Sequence, residues 1–336
     1  MTALRWQRLK DHDRQLIQSR PVSGEQRTDY PIGWYFARFS EDLAPGQVVP
    51  VEFMSRRYAL FRDQDGAVVM IDGQYSAADR DPPRARQPTI PVLERVGNIW
   101  FWYGPEPARE FLDVASFDSS RYTNVKGEIH IGRSDPLPMF EHVADSYHFP
   151  HNHKAAGQLE YIVTANEGDR FEFQLRPAPG TDGVNVQRFF KPHAFIEMAG
   201  PCIAVYRAQK NATINRDSPL LTVLLGATPV RENVSILSWR IAVRKVGTTP
   251  FHSPLNWLLT RAIWRVIAWN VHVDLEVLKW MRRPAKTLWV KPDGSSVREY
   301  RNFYNRAIIA GWRPDHQPDP QPAPDRPEVE LTGNRD

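Results

Sequence analysis

Four of the chain's ten histidines fall within the thirteen residues EHVADSYHFPHNH, Glu141 to His153. Imidazole ligates transition metals and carries protons near neutral pH. Asp145, His148 and His153 are spaced Asp-x2-His-x4-His. Asp145 and His148 stand i,i+3 and share a face on a helix. On an unbroken helix His153 would lie about 140° further round. Pro150 disfavours helical geometry at Phe149, which predicts a helix end just after His148 and lets His153 turn back from a loop. Two converging imidazoles need a third ligand, usually a carboxylate. A distant segment, NVHVDLEVLKW, offers Asp274 and Glu276. Asp274 follows an apolar stretch, and an ionised carboxylate on that inner surface needs pairing or a metal. Two readings stay open: metal ligation, or an ordinary ion pair with an arginine such as Arg282. The histidines too could belong to a plain surface loop, and His142 or His151 could replace a ligand if the loop is built differently.

Those residues must be held by other elements. Residues 1–29 read as a polar arm. From Tyr30 to about Pro107, strand-like runs (VVPVEF, YALFR, AVVMI, NIWFWYG) alternate with turns at Asp65-Gly66 and Asp72-Gly73, which predicts a small antiparallel β unit. From Val125 onward GEIHIGR, RFEFQLR, GVNVQRFF, LTVLLGA and NVSILSWRIAV predict one large antiparallel sheet. The segment MFEHVADSYHF, helical in period, interrupts it. A long helix from about Pro254 to Trp280 follows, and the whole reads as an α+β fold in which a sheet grips a helix. The tail after Arg313 is Pro-rich. The predicted division is 1–29 arm, 30–110 β domain, 111–312 helix-grip domain and 313–336 tail.

The bulk composition excludes several classes. The net charge of +4 comes from 43 basic and 39 acidic residues, without a basic block, so nucleic-acid binding has little support. The charged N-terminus has no apolar core and does not read as a secretory signal. One cysteine, Cys202, excludes an internal disulfide and suits a reducing compartment, so a cytoplasmic location is expected. The most apolar stretch, LNWLLTRAIWRVIAW from Leu255 to Trp269, is too short to span a bilayer and carries Arg261 and Arg265. It reads as a mostly buried helix in preference to one lying on a membrane surface.

Taken together, the motifs resemble the Rieske non-haem iron oxygenases, nearest the branch of 3-ketosteroid 9α-hydroxylase oxygenase components. The resemblance covers roughly residues 30 to 310. YPIGWYFARFSEDLAPGQVVPVEFMSRRYALFRDQDGAVVMID resembles the start of their Rieske domain, and PPRARQPTIPVLERVGNIWFWYGPE its end. FEHVADSYHFPHNH resembles the mononuclear iron motif, VDLEVLKW the segment carrying the third ligand, and VREYRNFYN a C-terminal element. The resemblance implies that His148, His153 and Asp274 form a 2-His-1-carboxylate Fe(II) site open to O2. It implies that Asp145 is the aspartate linking one subunit's iron to a neighbour's cluster, and that the assembly is a trimer. At the His142 position the family usually has Asn.

The departure from the family is in the first domain. A Rieske [2Fe–2S] centre takes two Cys and two His. The chain has one Cys, and its only His before residue 130 is His12. Gln74, Tyr75 and Ser76 stand where the first Cys-x-His pair would be, and AADRD runs almost directly into PPRAR. The expectation is a cluster-less β domain in a hydroxylase-type oxygenase subunit acting on an apolar, perhaps steroid-like, substrate. Its electrons would come from a Rieske-bearing paralogue in a mixed oligomer, or from a reductase. The other readings are a non-catalytic structural or ligand-binding partner of a paralogue, and an iron enzyme of redox-neutral chemistry.

Overall fold

The computed structural model describes residues 30–63, 65–72, 89–105, 108–114, 117–153, 159–178, 193–209, 218–279, 281 and 294–308. The N-terminal arm, positions 73–88 with Gln74 to Ser76, the run GVNVQRFF, Arg282 and the Pro-rich tail lie outside the described residues.

Seven strands come first: β1 (Gly33–Phe39), β2 (Val48–Phe53), β3 (Arg56–Arg62), β4 (Val68–Asp72), β5 (Thr89–Ile90), β6 (Val92–Arg95) and β7 (Asn98–Tyr103). They form two small antiparallel sheets, ordered β1-β7-β6 and β2-β3-β4-β5. In β2 the side chains alternate between buried and more exposed positions, as the period-two pattern requires. All six residues of β7, NIWFWY, are buried. Tryptophans brace the unit: Trp34 and Trp102 pack with ring centroids 5.5 Å apart. Each indole N–H of Trp34, Trp100 and Trp102 donates to a backbone carbonyl, of Arg109, Arg95 and Pro105 respectively.

The second half is one seven-stranded antiparallel sheet: β8 (Tyr122–Gly132), β9 (Leu159–Glu167), β10 (Arg170–Pro177), β11 (His193–Met198), β12 (Ile203–Gln209), β13 (Leu221–Arg231) and β14 (Val234–Arg244), in the order β8-β14-β13-β12-β11-β10-β9. Helices α1 (Pro136–Ala144) and α2 (His148–Asn152) fall between β8 and β9. Helices α3 (Ser253–Leu278) and α4 (Gly294–Arg306) follow the sheet; α3 lies against β8 and β14, and α4 against α1, β9 and β10. The α+β fold class is therefore the one the pattern predicts.

Buried polar contacts fasten the small sheets to the large one. The Arg240 guanidinium on β14 donates to Glu41 (2.6 and 2.7 Å), Asn98 Oδ1 (3.0 Å) and the Gly97 carbonyl (2.7 Å). Thr228 Oγ1 donates to the Phe36 carbonyl at 2.8 Å. Removing one partner from such a network leaves the others desolvated and unsatisfied, which makes the junction specific.

Two expectations about helices are corrected. The helix through the histidine segment does not run to His148. It ends at Ala144 with Asp145 as its C-cap, and His148 opens a separate short helix that contains Pro150. The cause is local: Asp145 Oδ1 accepts from the Tyr147 N–H at 2.9 Å, an Asx turn that competes with helical continuation. Pro150 sits early in α2, where a missing N–H costs nothing. Secondly, α3 is not mostly buried. Only Asn256, Thr260, Ala268, Val271 and Leu278 are buried, while Leu255, Trp257, Leu258, Val266 and Trp269 are exposed. The sheet covers one stripe of the helix, and an apolar sequence that runs all round it leaves the opposite stripe facing outward.

Candidate metal centre

Asp135 starts the element that carries the site. Its side chain accepts from the Leu137 N–H at 3.0 Å, and Pro136 takes the first helical position, so DPLP nucleates α1. Helix α4 then holds the other end of α1. Ser296 Oγ donates to the Ala144 carbonyl at 2.8 Å, and Arg301 pairs with Glu141. Burial raises the Glu141 carboxyl, and the Arg301 guanidinium opposes that shift. The VREYRNFYN segment thus acts on the site from behind, by fixing the helix that bears His142.

Helix α3 supplies the opposite wall. Leu259, Ile263, Val266, Ile267, Asn270, Val271 and Asp274 recur at helical spacing and face one cavity of about 760 Å³. On the sheet side, Leu221, Val223 and Leu225 alternate along β13 and face the same space. His142, His148, His153 and Asp274 also line it. Asp274 ends the α3 stripe about 22 Å from Leu259, so the cluster of His142, His148, His153 and Asp274 sits at one end of a largely apolar channel.

The structure brings the three sequence-derived ligands to this one place. Asp274 Oδ1 lies 3.0 Å from His153 Nε2 and 3.1 Å from His142 Nε2. The His148 ring lies 4.3 Å from that of His142 and 5.4 Å from that of His153, centroid to centroid. Among the described residues two groups of donor atoms lie within 4.8 Å of one another: His142, His148 and Asp274 here, and Glu128, His130 and His272 elsewhere. His142, a substitute ligand on sequence grounds, is therefore in contact with the carboxylate, and Asn152 Nδ2 approaches its Nε2 at 3.2 Å. His151 is exposed, and Glu276 turns away to pair with Lys279. Among the described residues, Asp274 has its ion pairs with histidines and none with an arginine.

The electrostatics suit ligation. His148 Nδ1 donates to the Asp145 carbonyl at 2.5 Å, which sets the tautomer of a neutral ring so that Nε2 carries the lone pair. Burial, then His142, lowers the His148 pKa to about 3, so the ring is neutral at pH 7. Burial pushes the Asp274 carboxyl upward, but the hydrogen bonds from His142 and His153 outweigh it and hold the group below the usual carboxylate range. A neutral His148 imidazole beside an ionised carboxylate suits a divalent iron. The donor set therefore fits a mononuclear metal. Within this chain Asp145 has two local contacts: its backbone carbonyl accepts from His148, and its carboxylate accepts the Tyr147 N–H of the Asx turn.

Sequence reasoning passed over two hydroxyls in the cavity. Tyr161 and Tyr206 line it from β9 and β12. Burial, and for Tyr161 the neighbouring Tyr206, raises both, Tyr206 to about 12, so each is a neutral hydroxyl at working pH. The available signal was that both fall on inward positions of strands.

Fold and donor set define a class: a small β unit joined to a helix-grip sheet, with a His/Asp cluster beneath the gripped helix. The chain is similar in sequence and fold to the oxygenase components of the Rieske non-haem iron oxygenases. A probable 3-ketosteroid-9-alpha-monooxygenase, oxygenase component, of Rhodococcus rhodochrous is 20% identical over 325 residues, covering 83% of this chain and 80% of that protein. Dicamba monooxygenase bound to dicamba matches with a TM-score of 0.59 at 18% identity, over 82% of this chain and 96% of that one. The terminal oxygenase of carbazole 1,9a-dioxygenase from Novosphingobium sp. KA1 matches at 0.57 and 15% identity, over 83% and 94%. At these identities the structural likeness shows the fold. No protein-family model matches the chain.

Proposed function

We propose that this chain is the oxygenase subunit of a non-haem iron enzyme acting on an apolar, polycyclic or steroid-like substrate, with electrons delivered by a partner polypeptide. The observation that carries the reading is the His/Asp donor set at one end of an apolar channel. His148, His153 and Asp274 would hold the iron, with His142 as a further donor beside them. When bound there, Fe(II) supplies reactivity toward O2. The protein's own share is to place and dry the substrate. The walls from β13 and α3 exclude water from an apolar body, and Tyr161 and Tyr206 offer neutral hydroxyls to a carbonyl or hydroxyl on it. The 3-ketosteroid and carbazole activities named for the similar proteins agree with a polycyclic occupant of this size.

A partner as electron source follows from the cysteine count. A Rieske centre uses two cysteine thiolates, and this chain has only Cys202. That thiol is buried against the Tyr35 hydroxyl, at 3.9 Å, and burial raises its pKa. Either a Rieske-bearing paralogue in a mixed trimer or a docking reductase would supply the electrons, with Asp145 as the link to the neighbouring cluster.

The test is anaerobic loading with Fe(II), then conversion of steroid and polycyclic aromatic substrates with reductant and partner, with and without O2. About one iron per chain should bind. His148→Ala and Asp274→Ala should each lower iron content roughly tenfold or more and abolish O2-dependent product. Asp145→Asn should keep fold and iron, because the Asn carbonyl still accepts from Tyr147, while product formation drops roughly tenfold or more. Full conversion under strict anoxia would point to redox-neutral chemistry instead. Unchanged activity of the partner with metal-site variants of this chain would make it a non-catalytic subunit.

A further inference from the structure

We propose that the outer face of α3, with the turn that leads into it, docks on an anionic lipid bilayer and draws apolar substrate from that bilayer into the cavity. The proposal rests on the cavity being the substrate site, as above.

Helical spacing sorts the outward residues into two adjoining stripes. Leu255, Leu258, Ala262, Val266 and Trp269 form an apolar one about 21 Å long. Trp257, Arg261, Arg265 and His272 form the other. Exposure is high for side chains of this kind: 62% for Trp257, 58% for Leu258 and 53% for Trp269. Phe251, on the turn Pro250–His252 that enters the helix, is 93% exposed. The Arg261 guanidinium stacks over the Trp257 ring at 5.8 Å. From Ser253 to Val273 the helix holds no Asp or Glu. Aromatic and aliphatic side chains interleaved with arginine alone match the boundary between acyl chains and anionic headgroups. No described helix is long and apolar enough to cross a membrane, so the geometry is that of a helix lying in the interface.

The cavity argues for a bilayer over a protein partner. Val266 is half exposed and also lines the cavity; Val246, beside the start of α3, does both as well. Arg244 and Lys245 line the same rim. The apolar stripe therefore borders the mouth of the channel. A protein seated on it would cover that mouth, whereas a bilayer would open into it the phase where an apolar polycyclic compound is most concentrated.

The test is co-sedimentation of the full chain with vesicles of phosphatidylcholine, alone or mixed about 3:1 with phosphatidylserine. Partition into the mixed vesicles is expected to exceed that into phosphatidylcholine roughly tenfold. Trp257→Ser with Trp269→Ser, or Arg261→Glu with Arg265→Glu, should lower it roughly tenfold or more. These four side chains lie outside the cavity and the metal centre, so iron loading and circular dichroism should match the parent. Absence of partition, or partition unchanged in both double variants, overturns the proposal. So does a change of mass by light scattering in the tryptophan variant of a chain that never binds vesicles, since the face would then contact protein. Iron loading reports on the proposed function separately: intact loading without vesicle binding removes only the membrane inference.

Discussion

His148 spends one ring nitrogen on position and keeps the other for chemistry. The bond from Nδ1 to the Asp145 carbonyl sets the tautomer, and burial keeps the ring uncharged. His130 on β8 is held neutral in the same way: burial, then His272, lowers its pKa to about 4. Both folded-state values lie below the unfolded value near 6.5, so the unfolded chain binds more protons between them. Stability of the metal-free protein is thus complete above about pH 6.5 and falls as the pH drops toward 4, by up to about 1.4 kcal/mol per pH unit for each histidine. Urea denaturation in chelator across that range should show the slope, and His130→Gln should reduce it by about one proton's worth; an unchanged slope would remove His130 from the account. At this scale residue types and local spacing offered His148, His153 and, from a distant segment, Asp274 or Glu276 as candidates, and the family resemblance chose Asp274 among them. The sequence could not show His142 touching a carboxylate 132 positions away, nor that Asp145 orients His148 through its backbone.

Elements place these residues through small irregularities. On β8, Gly127 and Glu128 together oppose the single residue Trp239 of β14, a bulge where the register slips between Ser238 and Arg240. The Trp239 ring occupies the space a side chain at 127 would take: a Cβ there would sit 2.1 Å from Cδ2. The same ring packs on Trp264 of α3, centroids 5.4 Å apart. Gly127→Ala should therefore displace fully buried Trp239 and loosen α3 from the sheet, costing about 1–3 kcal/mol. Chemical denaturation would measure it, and Trp239→Leu in the same chain should recover part of the loss. Strand alternation was legible because it is local. The break after Ala144 was not, since Pro150 drew attention away from the Asx turn at Asp145. The exposure of α3 was also hidden, because an apolar helix reads alike whether the protein or something outside it covers each face.

On the scale of the whole molecule, the family resemblance implies a head-to-tail ring of three subunits, which we propose for this chain. Light scattering should give about three times the chain's 38.7 kDa, alone or with a paralogue in the ring. The homo-oligomer should lack the visible absorbance of a [2Fe–2S] cluster. A stable monomer at micromolar concentration would oppose the ring, and stoichiometric cluster bands would oppose the cysteine argument.

The first strand of the β unit, β1, pairs with its last, β7, and β7 with β6, while β4 and β5 pair side by side around positions 73–88. The frame is thus clasped by strands at the two ends of its sequence, and the interval that would carry a cofactor lies inside the clasp. Closing a loop costs only slightly more as it lengthens, so a frame clasped in this way tolerates a change in the length of chain between β4 and β5. Heredity can lengthen, shorten or replace a segment held this way without unfastening the frame.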